Sequence, residues 1–206
     1  MNQNLLTYEL EYWQKGFNLI AGVDEVGRGC LAGPVVAAAV ILPNDENLLK
    51  KLDGVNDSKK LSATKRRKYF SIIQDVAIDF SIGMASANVI DEINILQASF
   101  LAMRRALSHL DNCDYIFVDG NKKIPDIQIE QTAIIKGDSQ SLSIAAASIL
   151  AKVVRDEIMI ELAKYYDKSF DFESNKGYPT KKHIEALKLH GLLDIHRRTF
   201  CKNFLG

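Results

Sequence analysis

The chain has 206 residues, of which 47% are hydrophobic, so it can bury one sizeable core. Its 26 Lys and Arg residues balance 26 Asp and Glu residues, and this neutral total argues against a generic basic nucleic-acid binder. The three cysteines are far apart and form no CxxC pair, which argues against a disulfide framework or a zinc knuckle and indicates a reduced, cytoplasmic protein.

The basic residues are concentrated in two segments of the chain. Residues 59–68 hold six basic residues and no acid, and residues 181–202 hold six Lys or Arg and three His against two acids. No basic-then-apolar signal pattern opens the chain, and its longest apolar stretch, residues 30–42, is too short to cross a bilayer. We therefore expect no membrane partner, and basic surfaces on a protein of zero net charge.

The first half of the chain is predicted to form an N-terminal helix and then strands. The helix lies within residues 1–16, and its amphipathic pattern begins at Leu5. Ser62 is the predicted N-cap of a second helix, which follows the first basic segment. Strands are predicted at residues 17–23, 35–42 and 79–85.

The second half is predicted to alternate helices and strands. The clearest helix covers residues 89–110, with Asp91 and Glu92 in its first turn, where carboxylates favour the helix dipole. Asp138 or Ser139 is the predicted cap of a long Ala-rich helix. Apolar runs at 115–118 and 132–135 are typical of central strands, and further helices are predicted at 142–163 and 181–189. The order of elements predicts a mixed-sheet α/β domain over residues 1–206.

Four acids each adjoin an apolar element. Asp24 and Glu25 lie in a glycine-rich segment, Asp119 ends an apolar run before Gly120, and Asp156 lies in the long helix. A buried cluster of such acids is unstable unless a cation occupies it, and oxygen-only ligands favour Mg²⁺ or Mn²⁺. Each acid taken alone is more often an ordinary turn residue or a solvated charge.

Adjacent residues of a regular strand point to opposite faces of the sheet. Asp24 and Glu25 can therefore share a site only if the strand ends or bulges there, unless Glu25 contributes its carbonyl oxygen instead. Gly27-Arg28-Gly29 is either a plain tight turn or a set of exposed N–H groups that contact a phosphate or a ribose hydroxyl. Tyr178 either packs its loop or offers a ring face to a sugar or base.

The ordered set of motifs closely resembles the ribonuclease HII family. The matching segments are AGVDEVGRG at 21–29, GPVVA at 33–37, DSKKLS at 57–62, VDG at 118–120, KGD at 136–138, IAAASILAKV at 144–153, RD at 155–156, GYPT at 177–180 and HRRTF at 196–200. Each segment alone is weak, but the ordered set is specific. Thr199 stands where serine is usual. The related ribonuclease HIII family has a longer N-terminal extension and a lysine in place of Arg28.

The resemblance implies a ribonuclease H-like fold, with a mixed central sheet flanked by helices. It implies an endonuclease that cuts the RNA strand of RNA–DNA hybrids and cuts 5′ of ribonucleotides embedded in duplex DNA. Two-metal-ion catalysis with Mn²⁺ or Mg²⁺ then leaves 3′-hydroxyl and 5′-phosphate ends. The metal-binding and catalytic acids are expected to be Asp24, Glu25, Asp119 and Asp156.

The resemblance also implies how the substrate is bound. Gly27-Arg28-Gly29 and Tyr178 are expected to sense the junction between a ribonucleotide and a following deoxyribonucleotide. Residues 167–206 form a C-terminal helical segment that contacts the substrate, and the protein is expected to be a monomer. The further substrate-binding candidates are Lys59, Lys60, Ser139, Lys181, Lys182, Arg197 and Arg198.

Three other functions compete with this interpretation. A metal-dependent DNA nuclease or junction resolvase of the same superfold would share the acids but need no 2′-hydroxyl. A non-catalytic nucleic-acid binding module would have no reason to keep four acids near bound phosphates. A binder of small phosphorylated molecules is disfavoured by the two basic segments.

Overall fold

The computed structural model describes residues 5–45, 47–55 and 61–205. Its centre is a five-stranded mixed sheet in the order β3-β2-β1-β4-β5. The strands β1, β2 and β3 are antiparallel neighbours, whereas β1, β4 and β5 run parallel. Their bounds are β1 Ile20–Val26, β2 Val35–Ile41, β3 Asp79–Ala85, β4 Tyr115–Asp119 and β5 Gln131–Ile134.

Helices cover both faces of this sheet, as the sequence predicts. Buried side chains of α1, α3 and α5 pack on one face, and those of α4 pack on the other. The helix bounds are α1 Thr7–Gln14, α2 Leu48–Lys51, α3 Ala63–Val76, α4 Ala87–Leu107, α5 Leu142–Ala163, α6 Phe172–Asn175, α7 Lys181–His190 and α8 Arg198–Cys201. Within the described ranges, no helix is long and apolar enough to cross a membrane.

The α5 helix lies unusually close to β1. A Cβ atom added to Gly22 would come within 2.2 Å of the carbonyl carbon of Ser143, so only glycine permits this approach. The three consecutive alanines of α5, Ala145 to Ala147, are all buried. Close packing of small residues therefore sets the distance between the sheet and the helix.

The structure corrects two details of the predicted helices. The α4 helix begins at Ala87 with Ser86 as its N-cap, and it breaks at Asn94, whose φ is 65°. Asp91 therefore lies beyond the first turn, and its carboxylate instead accepts hydrogen bonds from the amides of Arg198 and Thr199. The N-cap of α5 is Ser141, whose hydroxyl accepts the amide of Ile144 at 3.3 Å.

The prediction that residues 132–135 form a central strand is also wrong. The strand β5 lies at the edge of the sheet, and Ile135 is 65% exposed. Hydrophobicity alone does not distinguish an edge strand from a central one, because both carry β-branched residues.

Candidate active site

Two acidic residues, Asp24 and Asp119, meet near the carboxyl ends of the neighbouring parallel strands β1 and β4. This end of the sheet, with Glu25, is called the carboxylate edge. The parallel register pairs Val23 with Val118, so the next residues along, Asp24 and Asp119, lie at the same level of neighbouring strands. The strand β4 ends at Asp119, and Gly120 turns the chain with a φ of 109°. Strand pairing therefore brings together two carboxylates that are 95 residues apart in the sequence.

The strand β1 does not end at these acids. Its antiparallel ladder with β2 continues regularly through Glu25 and Val26. The strand neither ends nor bulges between Asp24 and Glu25, so the condition for both carboxylates to share one site is not met, and they leave opposite faces of the sheet. Asp119, at the end of the neighbouring strand, influences the ionisation of both.

Asp24 lies on the α5 side and is only 7% exposed. Burial, followed by the negative charges of Glu25 and Asp119, raises its pKa well above the ordinary value for an aspartate. Hydrogen bonds from the Ser148 hydroxyl and from the Glu25 amide, the latter at 2.7 Å, oppose this rise. These two hydrogen bonds hold the carboxylate, and none of the ion pairs among the described residues includes it.

Glu25 lies on the α4 side, at a hollow of about 210 Å³ that Ser99 and Asp119 also line. Burial raises the pKa of Glu25, and the charge of Arg28 opposes this rise from 2.9 Å. Among the described residues, neither the Oε2 atom of Glu25 nor the hydroxyl of Ser99, both of which are buried, has a hydrogen-bond partner. Such orphaned buried oxygens mark a place where a ligand or ion is accommodated.

Asp119 connects this edge to the turn at 136–139, where the sequence predicts a helix cap at Asp138 or Ser139, a substrate contact at Ser139 and a family motif at 136–138. Its Oδ1 atom accepts the amide of Gly137 at 2.7 Å. A Cβ atom on Gly137 would meet Ile144 at 2.6 Å, so glycine is needed for this contact. Asp138 follows directly and is half-buried, which adds a further acid beside the cluster. The KGD motif at 136–138, one of the segments that resemble the family, carried that signal.

Asp156 is not brought into this group. Its carboxylate lies 2.7 Å from the Lys152 ammonium and 3.8 Å from the Arg66 guanidinium. It is eight residues beyond Ser148, which is about 12 Å along the helix axis. It lines a separate hollow with Arg66 and Lys176. The fourth predicted acid is therefore part of a cationic cluster.

The predicted junction-sensing residues do lie together. The Tyr178 hydroxyl is hydrogen-bonded to the Cys30 thiol, which directly follows Gly27-Arg28-Gly29. Burial raises the pKa of Tyr178 to about 12, and its ring lies 5.5 Å from the Lys152 ammonium. The Gly177 carbonyl accepts the Leu31 amide at 2.8 Å, which fixes the two segments to each other.

Two buried arginines hold the segment of residues 27–34. Arg155 donates to the carbonyls of Pro34, Ala32 and Lys176 at 2.9–3.1 Å. Gly27 has a φ of 93°, and a Cβ atom there would meet Arg155 Nε at 2.1 Å. Glycine is thus required at position 27, whereas the space around Gly29 is open.

Arg197 requires a correction. It is 0% exposed, and its guanidinium donates to the carbonyls of Gly33 and Arg28 at 2.9–3.0 Å. Burial lowers its pKa to about 10. All of these contacts are internal, so Arg197 shapes the loop and does not reach a phosphate.

The remaining predicted contacts are distributed over the surface. Lys59 and Lys60 lie outside the described residues. Lys181 and Lys182 are exposed at the start of α7, where Lys182 pairs with Asp171 at 3.1 Å. Arg198 is exposed, and the Ser139 hydroxyl donates to the Lys136 carbonyl at 2.8 Å. Sequence reasoning missed Lys122, which lines the hollow beside Glu25 and Asp119.

The residues at the sheet edge fit a hard divalent cation in their chemistry. They offer only oxygen donors, one buried glutamate oxygen has no partner among the described residues, and burial, with the charges of the neighbouring acids, raises the pKa of Asp24. In the described part of the chain, however, no three His, Cys, Asp or Glu side chains converge closely enough to enclose an ion. Coordination therefore requires Glu25 to turn away from Arg28.

The chain was compared with known proteins. The model of the ribonuclease HII family matches residues 21–203. The ribonuclease HII of Endomicrobium trichonymphae is 51% identical over 201 residues, which are 97% of this chain and 93% of that protein.

Solved structures agree with this match. The crystal structure of the ribonuclease H2 from Pyrococcus horikoshii OT3 has a TM-score of 0.71 at 29% identity and covers 90% of this chain and 96% of its own. Bst-RNase HIII in complex with Mn²⁺ has a TM-score of 0.69 at 22% identity, covering 84% of this chain and 63% of its own, and is similar in fold alone. The predicted ribonuclease H-like fold is confirmed.

Proposed function

Because this chain belongs to the ribonuclease HII family and is a ribonuclease H, we propose that it cuts RNA paired with DNA and single ribonucleotides embedded in duplex DNA. The observation that carries this proposal is the position of Asp24, Glu25 and Asp119 at the carboxylate edge. The strand β1, which carries the first two, continues into the loop of residues 27–34, whose Cys30 is hydrogen-bonded to Tyr178. Carboxylates for catalysis and an aromatic residue for recognition thus lie a few residues apart along the chain that leaves β1.

We propose that these acids hold one or two Mn²⁺ or Mg²⁺ ions, with Asp24 and Asp119 on the α5 side of the sheet and Glu25 with Asp119 on the α4 side, because the Asp24 and Glu25 carboxylates leave opposite faces. When bound, such ions supply Lewis-acid stabilisation of the scissile phosphate and an activated water. Asp119 is oriented by the Gly137 amide, and Asp24 by Ser148 and its own neighbouring amide. These hydrogen bonds fix the carboxylates before the substrate arrives.

A fourth acid is proposed for the same site. Asp138 is favoured over Asp156, because its turn is hydrogen-bonded to Asp119 through Gly137. Asp156 is already neutralised by Lys152 and Arg66. Asp156 instead pairs with both cations, of which Lys152 lies 5.5 Å from the Tyr178 ring, where the sugar-phosphate backbone would pass.

The proposed reaction is hydrolysis of the P–O3′ bond. Water adds to phosphorus, O3′ leaves and takes up a proton, and the products carry a 3′-hydroxyl and a 5′-phosphate. The ribose 2′-hydroxyl is recognised by the exposed N–H groups around Gly27-Arg28-Gly29 and is not the nucleophile. The Tyr178 ring contacts the following sugar, which lacks a 2′-hydroxyl. Lys122, Lys181, Lys182 and Arg198 are proposed phosphate contacts.

The test is to map the cleavage of duplex DNA that contains one ribonucleotide, with and without Mg²⁺ or Mn²⁺. We expect metal-dependent cleavage 5′ of the ribonucleotide, and no cleavage of the same duplex made only of DNA. Cleavage of the all-DNA duplex would instead support a DNA nuclease or resolvase. Metal-independent binding without turnover would support a binding module.

We also propose that the protein acts as a monomer in the cytoplasm. The three cysteines are free thiols, two of them buried, which suits a reducing compartment. Light scattering of the purified protein should give the mass of one 23.0 kDa chain. A dimer mass would contradict this proposal.

A further inference from the structure

Two buried histidines join the C-terminal segment to the loop of Tyr178. His183, in the first turn of α7, and His196 are 0% and 1% exposed. Their Nε2 atoms lie 3.0 Å apart. His196 is also paired as an isolated β-bridge with Ala32, in the segment that follows the Gly-Arg-Gly turn. The pair therefore lies between the loop, α7 and the chain before α8.

The partners of the two rings determine where the protons are. His183 Nδ1 lies 2.9 Å from the Tyr178 carbonyl oxygen, which can only accept, so this nitrogen carries a proton. His196 Nδ1 accepts the Leu193 amide at 2.8 Å, so the proton of His196 is on Nε2. His196 Nε2–H then donates to His183 Nε2. The hydrogen bonds thus run in one direction, from Leu193 through both rings to Tyr178.

The surroundings keep both rings neutral. Burial lowers the pKa of His183, and burial with the neighbouring ring lowers the pKa of His196 to about 4. The rings pack against Phe170 and Phe172. Among the described residues, the nearby titratable groups are Asp194, which favours a charged His196, and His190, which lies against Phe170. A proton added to the pair would make both Nε2 atoms donors that point at each other, so their hydrogen bond would be lost.

This chain of bonds ends on the residue proposed to read the junction. The Tyr178 carbonyl accepts from His183 and, at 2.8 Å, from the Thr180 amide, while the Tyr178 amide donates to the Asn175 carbonyl at 2.9 Å. At the tip of the same residue, the hydroxyl contacts Cys30. The main chain and the ring are therefore fixed separately.

We propose that His183 and His196 are positioning residues for Tyr178, and that they set the enzyme's preference for a single ribonucleotide within DNA. The inference rests on the function proposed above for Tyr178. His183 supplies the bond that orients the Tyr178 peptide group, and His196 fixes the tautomer that makes this bond possible. The pair touches no reacting atom, so it acts only through Tyr178.

Two substitutions at position 183 separate positioning from packing. The amide nitrogen of asparagine is attached where Nδ1 of histidine is attached, so His183→Asn can keep the donor to Tyr178. The amide nitrogen of glutamine is one carbon further out, near the place of Nε2, so His183→Gln loses that donor. Both variants remove the aromatic ring, and they therefore serve as matched controls for lost packing.

The measurement is kcat/KM on duplex DNA with one ribonucleotide and on a continuous RNA–DNA hybrid. We expect His183→Gln to lose about threefold to tenfold on the single-ribonucleotide substrate, the value of one hydrogen bond, and less than about twofold on the hybrid. His183→Asn should keep most of the wild-type ratio between the substrates. Equal losses by the two variants on both substrates would overturn the proposal, because only packing would then be affected.

A second measurement does not depend on activity. A long-range ¹H–¹⁵N spectrum of the wild-type histidine rings should show His183 as the Nδ1–H tautomer and His196 as the Nε2–H tautomer at pH 7. Any other combination of tautomers would overturn the proposed series of hydrogen bonds from Leu193 to Tyr178, even if the enzyme is fully active. Conversely, a wild-type protein with the expected tautomers that leaves the single-ribonucleotide duplex uncut would remove the proposed function and, with it, the role in specificity.

Discussion

The carboxylate edge and the Tyr178 loop are joined by residues 24–34, which run from the acids of β1 to the Cys30 thiol that Tyr178 contacts, but the two regions are stabilised in opposite ways. At the carboxylate edge, burial and mutual repulsion raise the pKa of Asp24 and of Glu25, and one glutamate oxygen has no partner. Around the Tyr178 loop, Arg155, Arg197 and the two histidines direct their donors at main-chain carbonyls or at each other. One region is completed by a ligand, whereas the other is complete without one.

This difference indicates that the two regions have different roles. A site that binds metal ions must keep its negative charges unbalanced by the protein itself. A site that recognises the shape of a sugar must keep its groups rigid, because misplacement by about 1 Å costs much of the discrimination. The predictions below should separate the two regions, in order of decreasing effect.

Removing a charge from the carboxylate edge should have the largest effect. We expect Asp24→Asn or Asp119→Asn to reduce cleavage of both substrates by about a hundredfold or more under matched Mg²⁺. The same change should raise the melting temperature of the metal-free protein, because it removes a repelling charge. Near-wild-type cleavage by either variant would break the assignment of this edge to catalysis.

The pH dependence of stability should report the same charges. Because the folded-state pKa of Asp24 is raised, the folded protein holds a proton that the unfolded chain has lost, and stability falls as pH rises through that folded pKa. Thermal melts of the metal-free protein should therefore show a smaller decline above pH 4 in Asp24→Asn than in wild type. An identical decline in both proteins would mean that the pKa of Asp24 is not raised in the folded state.

Asp138 and Asp156 provide a sharper comparison of the two regions. We expect Asp138→Asn to lose about tenfold to a hundredfold of kcat on both substrates, since it joins the Asp119 turn. Asp156→Asn should lose less than about tenfold, mainly in KM, because it frees Lys152 and Arg66. A larger loss of kcat in Asp156→Asn than in Asp138→Asn would instead support Asp156 as the fourth acid of the metal site.

Truncating Tyr178 should affect recognition and leave the metal site intact. For Tyr178→Ala we expect a loss of about tenfold to a hundredfold in kcat/KM on the single-ribonucleotide duplex, the value of one stacking contact, and a smaller loss on the hybrid. Metal affinity of the free protein, measured by calorimetry, should hardly change. If both substrates lose equally, Tyr178 only packs its loop.

The smallest expected effect concerns the exposed lysines of α7. Lys181→Ala with Lys182→Ala should reduce the log–log salt slope of hybrid binding by about 0.9 per lost contact, as for B-form duplex. Lys15→Ala is the matched control, because Lys15 lies over Tyr12, which packs on Tyr115 at the opposite end of β4 from Asp119. An unchanged slope in the double variant would place α7 away from the substrate.

The sequence predicts the fold well, for physical reasons, whereas the metal-binding role of the acids stays a prediction. Strand β3 is predicted at its observed bounds, and the acids at the ends of apolar runs mark Asp24 and Asp119. Asp156 is misplaced because the spacing of residues on a helix face gives its direction but not its level along the axis. Arg197 looks like a surface cation, since burial of an arginine by carbonyls 164 residues away leaves no local pattern.

That last contact has a consequence for how the protein is made. The donors that close the loop of residues 27–34 come from Arg155 and Arg197, so this loop depends on residues that are synthesised long after it. A nascent chain can form β1, β2 and β4 and assemble its acids while its recognition loop is still open. A nascent chain without Arg197 therefore lacks three of the hydrogen bonds that hold the loop proposed to recognise ribonucleotides.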